Sequence, residues 1–547
     1  MSKTIRGADL VAGALARAGL RTVFTLSGNH IMPIFDAAIE ADLELVHVRH
    51  EAAAVHMADA WGRLTGRCGI ALVTGGAGHT NAVAALCTAL AADSPLVLLS
   101  GHAGLNELGR GAFQELRQAD MAAPVAKASW TAASLEGLAH DVARAVRIAL
   151  SGRPGPVHVS LPVDLLEASL PDAPELWPEP EAFAPVVQPL SEASADAVLA
   201  AIAAAERPIV LCGPMLAHAP RLEAVERLAR ALGVPAPVME SPRGINDPAL
   251  GAFAEALKVA DLIVLLGKPH DFTLRFAEAP FVDPACRFVA IDPDPALIGR
   301  VAAEKGARLV LSAVADAADA AERLAARAAP SPARHAAWRE SVRAAIEHRP
   351  AAWADLAART EGPIHPVALC RAIAAALESR PDATVVCDGG EIGQWAQSLL
   401  PVRRRVINGV AGSIGSAVPF ALAARAAAPG SAVVAVMGDG AFGFHAVEFD
   451  TAVRYGLPLV VVVGNDAGWN AERQIQLRSY GAARVHGCDL LPTRYDRMIE
   501  ALGGHGEFVE RAADLGPALE RALASGRPAC VNVMIEAAPA PVVRRAP

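Results

Sequence analysis

The stretch that decides the fold is AVVAVMGDGAFGFHAVEFDTAVRYGLPLVVVVGNDAGWN, residues 432–470. It opens with an apolar run over 432–437 that predicts a buried parallel strand, and a second such run covers 459–463. Between them lie a glycine turn, 438–443, and a segment of helical spacing that reaches Tyr455. The stretch is therefore one βαβ unit with polar residues at the carboxyl ends of both strands, where open α/β sheets bind ligands.

Two kinds of chemistry fit the glycine turn. Gly438, Gly440 and Gly443 have the spacing of the dinucleotide fingerprint, which would make the chain a NAD-dependent oxidoreductase. The residue between the first two glycines is Asp439, whose carboxylate would face a pyrophosphate and repel it. A divalent cation held by Asp439 and Asp466 removes this conflict, since Mg²⁺ binds carboxylates together with phosphate oxygens. A third interpretation is a tight turn in which Asp439 only caps the helix.

The Gly-Asp-Gly turn followed by Asn465 and Asp466 resembles the cofactor motif of the thiamine diphosphate (ThDP) enzymes. This family includes acetolactate synthases, benzaldehyde lyase and the 2-hydroxyacyl-CoA lyases. The resemblance implies that ThDP is bound through Mg²⁺ or Ca²⁺, with the Asp439 and Asp466 side chains and the Gly468 backbone carbonyl as metal ligands. The family more often has Asn at position 466, so this chain carries one more negative charge there. The resemblance also implies that small residues hold the diphosphate at the helix N-terminus, namely Gly438, Gly440 and Ala441.

Two more glycine-rich segments match the family. Gly389, Gly390 and Glu391 follow the predicted strand 384–387, and the resemblance implies that they hold the diphosphate from its other side. Gly412 lies in the second segment with Ile414, which occupies the place of the bulky apolar residue that bends the cofactor in this family. Bending matters because it orients the exocyclic nitrogen of the cofactor beside its reactive carbon.

The residues after the metal motif are expected to line the cofactor and substrate pocket. Trp469 and Ala471 coincide with residues of benzaldehyde lyase. Ile475 stands where acetolactate synthases carry a tryptophan that selects the acceptor ketoacid. This difference argues against true acetolactate synthase activity.

In the N-terminal part of the chain, Glu51 is the main catalytic candidate. It lies at a predicted strand-to-helix junction in the sequence Arg-His-Glu-Ala-Ala-Ala, residues 49–54. From the sequence alone it could simply be a first-turn glutamate stabilised by the helix macrodipole. The resemblance implies that it protonates the ring nitrogen of the cofactor's aminopyrimidine, so that glutamate and cofactor act together as the general base.

Other residues of the N-terminal part match positions in the family's active site. His30 aligns with a histidine of benzaldehyde lyase, with Gly28 beside it in the substrate pocket, and Gln114 matches a glutamine that the family shares. Each could instead be a capping or solvated loop residue. His79 also precedes a predicted helix and is a further candidate, whereas Lys127 matches a lysine that we expect to be structural.

Composition and charge narrow the class of protein. The chain has 547 residues, 53% hydrophobic and 20% charged, and its net charge of −9 without a basic run argues against nucleic-acid binding. No apolar run reaches the ~18 residues of a transmembrane helix, so no membrane partner is expected. The eight cysteines are scattered without a C-x-x-C, which indicates buried thiols in a reducing compartment. Together with the lack of a signal-peptide pattern this predicts a cytoplasmic protein.

The chain is too long for one core, and alternating strand and helix patterns predict three doubly wound parallel-sheet domains of the α/β class. The resemblance implies that they are a ThDP pyrimidine-binding domain over 1–170, a central α/β domain over 190–327 and a ThDP diphosphate- and metal-binding domain over 364–535. Pro-rich linkers are expected over 171–189 and 327–334, and a disordered tail over 537–547. The central domain binds FAD or coenzyme A in some family members, but no nucleotide fingerprint is found here, so FAD is not expected.

The resemblance covers essentially the whole chain and implies a ThDP- and Mg²⁺-dependent lyase, carboligase or decarboxylase. Its small-molecule substrates would be 2-ketoacids, 2-hydroxyketones or 2-hydroxyacyl-CoA, converted through an enamine intermediate. In this family a glutamate of one subunit meets the diphosphate held by another, so a homodimer or homotetramer is expected. A NAD-dependent oxidoreductase that uses the glycine turn at 438–443 is the alternative.

Overall fold

The computed structural model of the protein describes residues 4–329 and 334–545. The N-terminal domain is built on a six-stranded parallel sheet with strand order β3-β2-β4-β5-β7-β6, and a short antiparallel ribbon joins β1 to β8. Its strands are β1 Thr4–Arg6, β2 Thr22–Thr25, β3 Glu44–His47, β4 Gly69–Val73, β5 Leu96–His102, β6 Ala128–Thr131, β7 Pro156–Pro162 and β8 Ser169–Pro171. Its helices are α1 Gly7–Arg17, α2 Met32–Glu40, α3 Glu51–Thr65, α4 Ala77–Ala91, α5 Gln118–Ala122, α6 Leu138–Leu150 and α7 Val163–Glu167.

The central domain has a four-stranded parallel sheet, ordered β12-β11-β10-β9, with helices on both faces. Its strands are β9 Pro208–Cys212, β10 Leu262–Leu266, β11 Arg287–Asp292 and β12 Leu309–Val314. Its helices are α8 Glu192–Ala204, α9 Leu222–Leu232, α10 Phe253–Leu257, α11 Pro295–Lys305 and α12 Ala317–Arg327. Two further helices, α13 Ala336–Glu347 and α14 Ala352–Ala358, lead to the C-terminal domain.

The C-terminal domain repeats the topology of the N-terminal one. Its parallel sheet has the order β14-β13-β15-β16-β18-β17, which is the N-terminal order with each strand replaced by its counterpart. The strands are β13 Thr384–Cys387, β14 Arg404–Ile407, β15 Val433–Gly438, β16 Val460–Asn465, β17 His505–Val509 and β18 Ala529–Met534. The helices are α15 Pro366–Leu377, α16 Gly390–Leu399, α17 Ala417–Ala427, α18 Asp439–His445, α19 Phe449–Arg454, α20 Asn470–Tyr480, α21 Tyr495–Ala501 and α22 Leu515–Ala524.

Because the topology is identical, the N-terminal and C-terminal sheets each have an edge, at the carboxyl ends of their strands, where a ligand can bind. In both parallel sheets the strand order reverses beside the first strand. The chain adds β3 on one side of β2 and β4 on the other, and likewise β14 and β15 on the two sides of β13. Such a switch point opens a crevice at the carboxyl ends of the strands. The prediction of doubly wound parallel sheets is confirmed, and the βαβ unit at 432–470 lies at the switch point of the C-terminal sheet.

The N- and C-terminal domains share one hydrophobic core. Helix α3 packs against α17, and both are rich in alanine, whose small side chain lets helices approach closely. Arg63 lies buried in this contact, where its guanidinium binds the Asp59 carboxylate and donates to the Ile407 carbonyl oxygen at 2.7 Å. The buried arginine is thus paired with a carboxylate and donates three hydrogen bonds, which offsets the cost of burying its charge.

A second buried charge cluster joins the N-terminal domain to the central domain. Arg153 lies between the Asp93 carboxylate, 2.7 Å away, and the Asp292 carboxylate, 2.6 Å away, and it also donates to the Gly267 carbonyl oxygen. The three charged side chains are largely buried, so their mutual attraction is poorly screened by salt. Arg153 therefore fixes the carboxyl edge of the central sheet against the N-terminal domain.

The C-terminal tail is ordered, contrary to the expectation of a disordered segment over 537–547. The part that the structure describes, up to residue 545, crosses the C-terminal domain and reaches the central one. Trp395 donates to the Pro539 carbonyl oxygen at 3.0 Å, and Arg545 pairs with Glu255 at 2.9 Å. Residues 330–333 of the second predicted linker and 546–547 of the tail lie outside the described residues. No helix in 4–329 or 334–545 is long and apolar enough to cross a membrane.

Replacing Arg153 by methionine is expected to destabilise the protein by about 3 kcal/mol at pH 8, because Asp93 and Asp292 lose their buried counter-charge. Burial already raises the pKa of Asp292 to about 6, and Arg153 opposes that rise. In the variant the pKa of both carboxyls rises further, so the folded protein takes up protons there as the pH falls from 8 to 5. An unfolded aspartate, with a pKa of about 3.9, does not. The loss should therefore shrink between pH 8 and pH 5.

Urea unfolding of R153M and wild type at the two pH values measures this change. The matched control is R230M, since Arg230 is exposed on α9 and its partner Glu226 is 3.8 Å away. A loss of stability in R153M that does not depend on pH would contradict the assignment.

Candidate functional site

A pocket of about 350 Å³ opens at the carboxyl edge of the C-terminal sheet. The turns after β13, β15 and β16 meet there, because these three strands are neighbours. All of the predicted cofactor and metal residues line it, together with the predicted substrate residue Ala471: Gly389, Gly390, Glu391, Gly412, Ile414, Gly438, Asp439, Gly440, Ala441, Asp466, Gly468 and Trp469. The structure therefore brings together residues that are 80 positions apart in the sequence.

Asp439 and Asp466 lie side by side in this pocket. Asp439 is 1% exposed, and its carboxylate accepts a hydrogen bond from the Gly468 backbone N–H at 3.2 Å. Burial raises the pKa of Asp439 to about 6, although several backbone N–H groups favour its charged form. The pKa of Asp466 rises to about 7 because of burial and the negative charge of Asp439. Two carboxyls that repel each other in this way are a suitable pair for a divalent cation.

The donor set fits Mg²⁺ held jointly with a diphosphate. Across residues 4–329 and 334–545 there is no cluster of three His, Cys, Asp or Glu side chains placed to hold a metal. Two carboxylates and a backbone carbonyl leave the remaining positions to phosphate oxygens and water, which is how Mg²⁺ is commonly bound. Asp439 is the first residue of α18 and not its N-cap, so the interpretation as a simple helix cap is incomplete.

Close packing explains two of the glycines. A Cβ on Gly440 would lie 2.7 Å from the indole ring of Trp469, so that only glycine lets this ring cover the turn. A Cβ on Gly389 would lie 2.8 Å from both Asn408 and Ile414. The neighbouring glycines are open instead, since a Cβ on Gly390 would meet nothing within 4 Å and one on Gly438 only Ile392 at 3.8 Å. There the backbone N–H groups can approach an anion.

Asp388 organises the second side of the pocket, and the sequence analysis did not single it out. Its buried carboxylate accepts hydrogen bonds from the backbone N–H groups of Gly389, Gly415 and Ala417, at 2.7 to 3.0 Å. Burial raises its pKa to about 6. Because Gly415 follows Ile414, these bonds fix the apolar residue that the resemblance assigns to bending the cofactor. In the sequence, the position of Asp388 between a predicted buried strand and two glycines could have indicated this role.

The predicted residues of the N-terminal domain gather at the corresponding edge of their own sheet. Glu51 begins α3, is 8% exposed and accepts a hydrogen bond from the Asn81 side-chain amide at 3.0 Å. His30 lies 3.3 Å from the Thr74 hydroxyl, and burial lowers its pKa, which keeps the imidazole neutral. A Cβ on Gly28 would lie 2.4 Å from Thr74. Thr74, which the sequence analysis missed, therefore connects these positions.

Gln114 is held in an unusual backbone conformation next to this group. Its φ of 57° lies in the left-handed region, and its Cβ fills the space beside Gly76. The Gly76 N–H in turn donates to the side chain of the buried Gln118 at 2.9 Å. The loop that carries Gln114 is thus fixed against the turn after β4. A strained non-glycine residue is a common feature of ligand-binding loops.

The two other residues considered in this domain bind groups other than Glu51 and His30. His79 is fully buried, lies 2.9 Å from the Ser100 hydroxyl and has its ring 4.5 Å from that of His158. Burial lowers its pKa to about 4. Lys127 donates to the Ser151 carbonyl oxygen at 2.6 Å and so connects the segment before β6 to the end of α6. Neither side chain reaches the edge where Glu51 and His30 lie.

Two predicted substrate residues are not part of the pocket at the C-terminal sheet. Ile475, in the second turn of α20, is 49% exposed and lies outside the lining of the pocket. Gly28 lies at the N-terminal edge described above. The described lining of the pocket contains no residue of the N-terminal domain at all. Within one chain, Glu51 and the acidic pair Asp439 and Asp466 therefore belong to separate edges.

The central domain has a further cavity of about 600 Å³ where it meets the N-terminal domain. Lys268 is buried in the loop after β10 and donates to the Pro269 carbonyl oxygen, the Asp271 carboxylate and the Thr273 hydroxyl of its own loop. Arg153 is engaged by two carboxylates. Lys127, the third cation of the described lining, donates to the Ile148 and Ser151 carbonyl oxygens, so all three cations already have partners within the protein.

The fold and the two ligand edges define a class, that of multidomain α/β enzymes which bind a diphosphate-bearing cofactor at the carboxyl ends of parallel strands. More specifically, the chain belongs to the thiamine diphosphate, or thiamine pyrophosphate, enzyme family. Three models of that family match it: the N-terminal TPP binding domain at residues 5–121, the central domain at 195–324 and the C-terminal TPP binding domain at 388–533.

Several relatives extend over nearly the whole chain. The protein is 34% identical to a probable acetolactate synthase of Mycobacterium bovis, over 98% of this chain and 96% of that protein. It is 30% identical to 2-hydroxyacyl-CoA lyase 2 of Homo sapiens, over 97% and 90%. It is also 30% identical to a catabolic acetolactate synthase of Raoultella terrigena, over 97% and 95%. These matches confirm the resemblance and give no support to the NAD-dependent alternative.

Replacing Asp388 by asparagine is expected to cost about 2–4 kcal/mol, since an amide leaves buried N–H groups without an acceptor. The amides of Gly415 and Ala417 should lose protection from hydrogen exchange, and Ile414 should lose its fixed position. Hydrogen exchange followed by mass spectrometry measures the change. D382N, at an exposed aspartate just before β13, is the control, and equal protection in both variants would contradict the role of Asp388.

Proposed function

We propose that the protein is a ThDP- and Mg²⁺-dependent lyase, carboligase or decarboxylase that breaks or forms a carbon–carbon bond next to a carbonyl group. Its substrates are 2-ketoacids, 2-hydroxyketones or 2-hydroxyacyl-CoA. The observation that carries the proposal is the pair of mutually repelling carboxyls, Asp439 and Asp466, among glycine turns at the switch point of the C-terminal sheet. The names of the relatives, acetolactate synthases and 2-hydroxyacyl-CoA lyases, support this range of substrates.

The residues of the C-terminal pocket would bind the cofactor. Asp439, Asp466 and the Gly468 carbonyl oxygen hold the metal ion, and the turns at Gly389 and Gly440 receive the diphosphate. Ile414 supports the bent form of the cofactor. Bound ThDP supplies a carbon nucleophile for carbonyl groups and an acceptor for the electron pair of the bond that breaks.

The residues of the N-terminal edge would handle protons. Glu51 is buried and fixed by Asn81, so it can exchange a proton with the ring nitrogen of the aminopyrimidine without solvent competition. His30 is neutral and can both accept and donate a proton at the substrate. Gln114 lies on the fixed loop beside them and can orient a substrate oxygen. Trp469 and Ala471 form the apolar side of the pocket.

The active site is proposed to form between two subunits. The C-terminal pocket lacks any residue of its own N-terminal domain in the described lining, whereas the proposed chemistry needs Glu51 beside the cofactor. A symmetric dimer supplies Glu51 from the second chain at both sites. Near the N-terminal edge, Phe113 is 68% exposed and Leu108 is 39% exposed, which suits a surface that a partner covers. All eight cysteines are free, in keeping with a cytoplasmic protein.

Replacing Glu51 by glutamine is expected to slow turnover by about 10²–10⁴-fold, because the amide cannot exchange the proton. ThDP should still bind, since Glu51 does not contact the diphosphate or the metal. The test combines calorimetric titration with ThDP and Mg²⁺, hydrogen–deuterium exchange at the thiazolium carbon of bound ThDP, and turnover of pyruvate, benzoin and a 2-hydroxyacyl-CoA. Unchanged exchange in E51Q, or no ThDP binding by wild type, would refute the proposal.

Mixing two inactive variants tests the site between subunits. E51Q and D439N are each expected to be inactive, but in a hybrid dimer one site receives Glu51 and Asp439 from opposite chains and is intact. Since half of randomly paired dimers are hybrids with one intact site of two, the mixture should recover about a quarter of wild-type activity. Co-expression with two affinity tags isolates the hybrids. No recovery would show that each site lies within one chain.

A further inference from the structure

The pocket at the C-terminal sheet carries an excess of negative charge. Its described lining includes four carboxylates, Glu391, Asp439, Asp466 and Glu472, and one cation, Arg243. A diphosphate that enters this pocket meets repulsion unless positive charge compensates it. A divalent ion at Asp439 and Asp466 offsets that pair but leaves the negative charges of Glu391 and Glu472. Among the described lining residues, Arg243 is therefore the one side chain whose positive charge attracts an anion.

Arg243 comes from the central domain and is presented by a rigid turn. Its backbone N–H donates to the Ser241 hydroxyl at 3.2 Å, and its carbonyl oxygen accepts from the Asn246 N–H at 3.1 Å. The next residue, Gly244, has a φ of 55°, and a Cβ there would lie 1.9 Å from the Thr273 carbonyl oxygen. The turn is thus locked against the rest of the central domain, while the Arg243 side chain is 44% exposed.

The guanidinium of Arg243 has unused donors. Its nearest charged neighbour is the Glu391 carboxylate, at 3.5 Å, which is longer than the 2.7–2.9 Å of a charge-assisted hydrogen bond. The part of the chain that the structure describes offers no other hydrogen-bond acceptor to this side chain. A guanidinium has five N–H donors in a planar fork that matches phosphate oxygens. Glu391 thus orients the guanidinium of Arg243 but leaves N–H donors of this group free to bind a ligand.

Glu391 is held in place from the other side. Its carboxylate accepts a hydrogen bond from the Ala540 backbone N–H of the C-terminal tail at 2.6 Å, and its side chain is 9% exposed. The tail thus fixes the carboxylate that faces Arg243. Glu391 was predicted to contact the diphosphate directly, but two negative groups would repel each other. The position of the Glu391 carboxylate is better suited to orienting the Arg243 guanidinium.

We propose that Arg243 of the central domain binds the diphosphate of the cofactor, with Glu391 as the residue that positions its guanidinium. The inference rests on the proposed binding of ThDP in this pocket. It gives the central domain a direct part in cofactor binding, and it explains why a carboxylate can line a diphosphate site.

Calorimetric titration at saturating Mg²⁺ tests this assignment with two ligands, ThDP and thiamine, which lacks the phosphates. R243Q should bind ThDP about 10–100-fold more weakly, the range expected for charge-assisted hydrogen bonds of about 1.5–3 kcal/mol, and thiamine equally well. R243K should be intermediate, because lysine keeps the charge but loses the fork. R230Q, at an exposed arginine of the same domain, should match wild type for both ligands.

A thermal unfolding experiment supplies the folding control. Without ThDP, R243Q should unfold within about 2 °C of wild type, since a half-exposed ion pair contributes little. The rise in unfolding temperature that ThDP produces should be smaller in R243Q.

Three results would overturn the inference: unchanged ThDP affinity in R243Q, an equal loss of affinity for thiamine, or a loss confined to the KM of an anionic substrate. If wild type itself fails to bind ThDP, the proposed function falls instead, so the two failures are distinguishable.

Discussion

The repulsion between Asp439 and Asp466 is the constraint on which the rest of the site depends. Parallel pairing of β15 with β16 brings Gly438 level with Gly464. The carboxyls of Asp439 and Asp466, which follow these strands, must therefore lie close together. Burial raises the pKa of both, to about 6 and about 7. A fold that buries two carboxyls side by side loses stability unless a cation lies between them. The glycine turns beside it then become an anion site, because the same cation attracts phosphate.

The repeated topology of the two outer domains supplies the second half of the chemistry. Each sheet has its own switch point, and each switch point is lined by a different kind of residue. The C-terminal edge has carboxylates and open backbone, which suit a metal and a diphosphate. The N-terminal edge has Glu51, His30 and Gln114, which suit proton transfer. Helices α3 and α17 pack within one chain in a way that keeps these edges apart, so the division of roles favours a dimer.

Much of this organisation could be predicted from the sequence, because it is local. The strand at 384–387, the strands near 433–438 and 460–465 and the glycine turns between them follow from apolar runs and turn residues a few positions apart. The acidic pair and Glu51 were found for the same reason, as polar residues directly after such strands. Asp388 has this signal too, but its partners, Gly415 and Ala417, lie beyond the next strand, so its role was visible only in the structure.

What the sequence could not show depends on contacts between distant segments. Arg243 is an ordinary loop arginine in the printed sequence, and the tail over 537–545 has the composition of a disordered end. Both converge on Glu391, which lies more than 140 positions from each of them. Arg243 belongs to the central domain, Glu391 to the C-terminal domain, and the third segment is the tail that crosses both. A pocket whose charge balance requires all three is complete only when the whole chain has folded, which couples cofactor binding to the integrity of the domain arrangement.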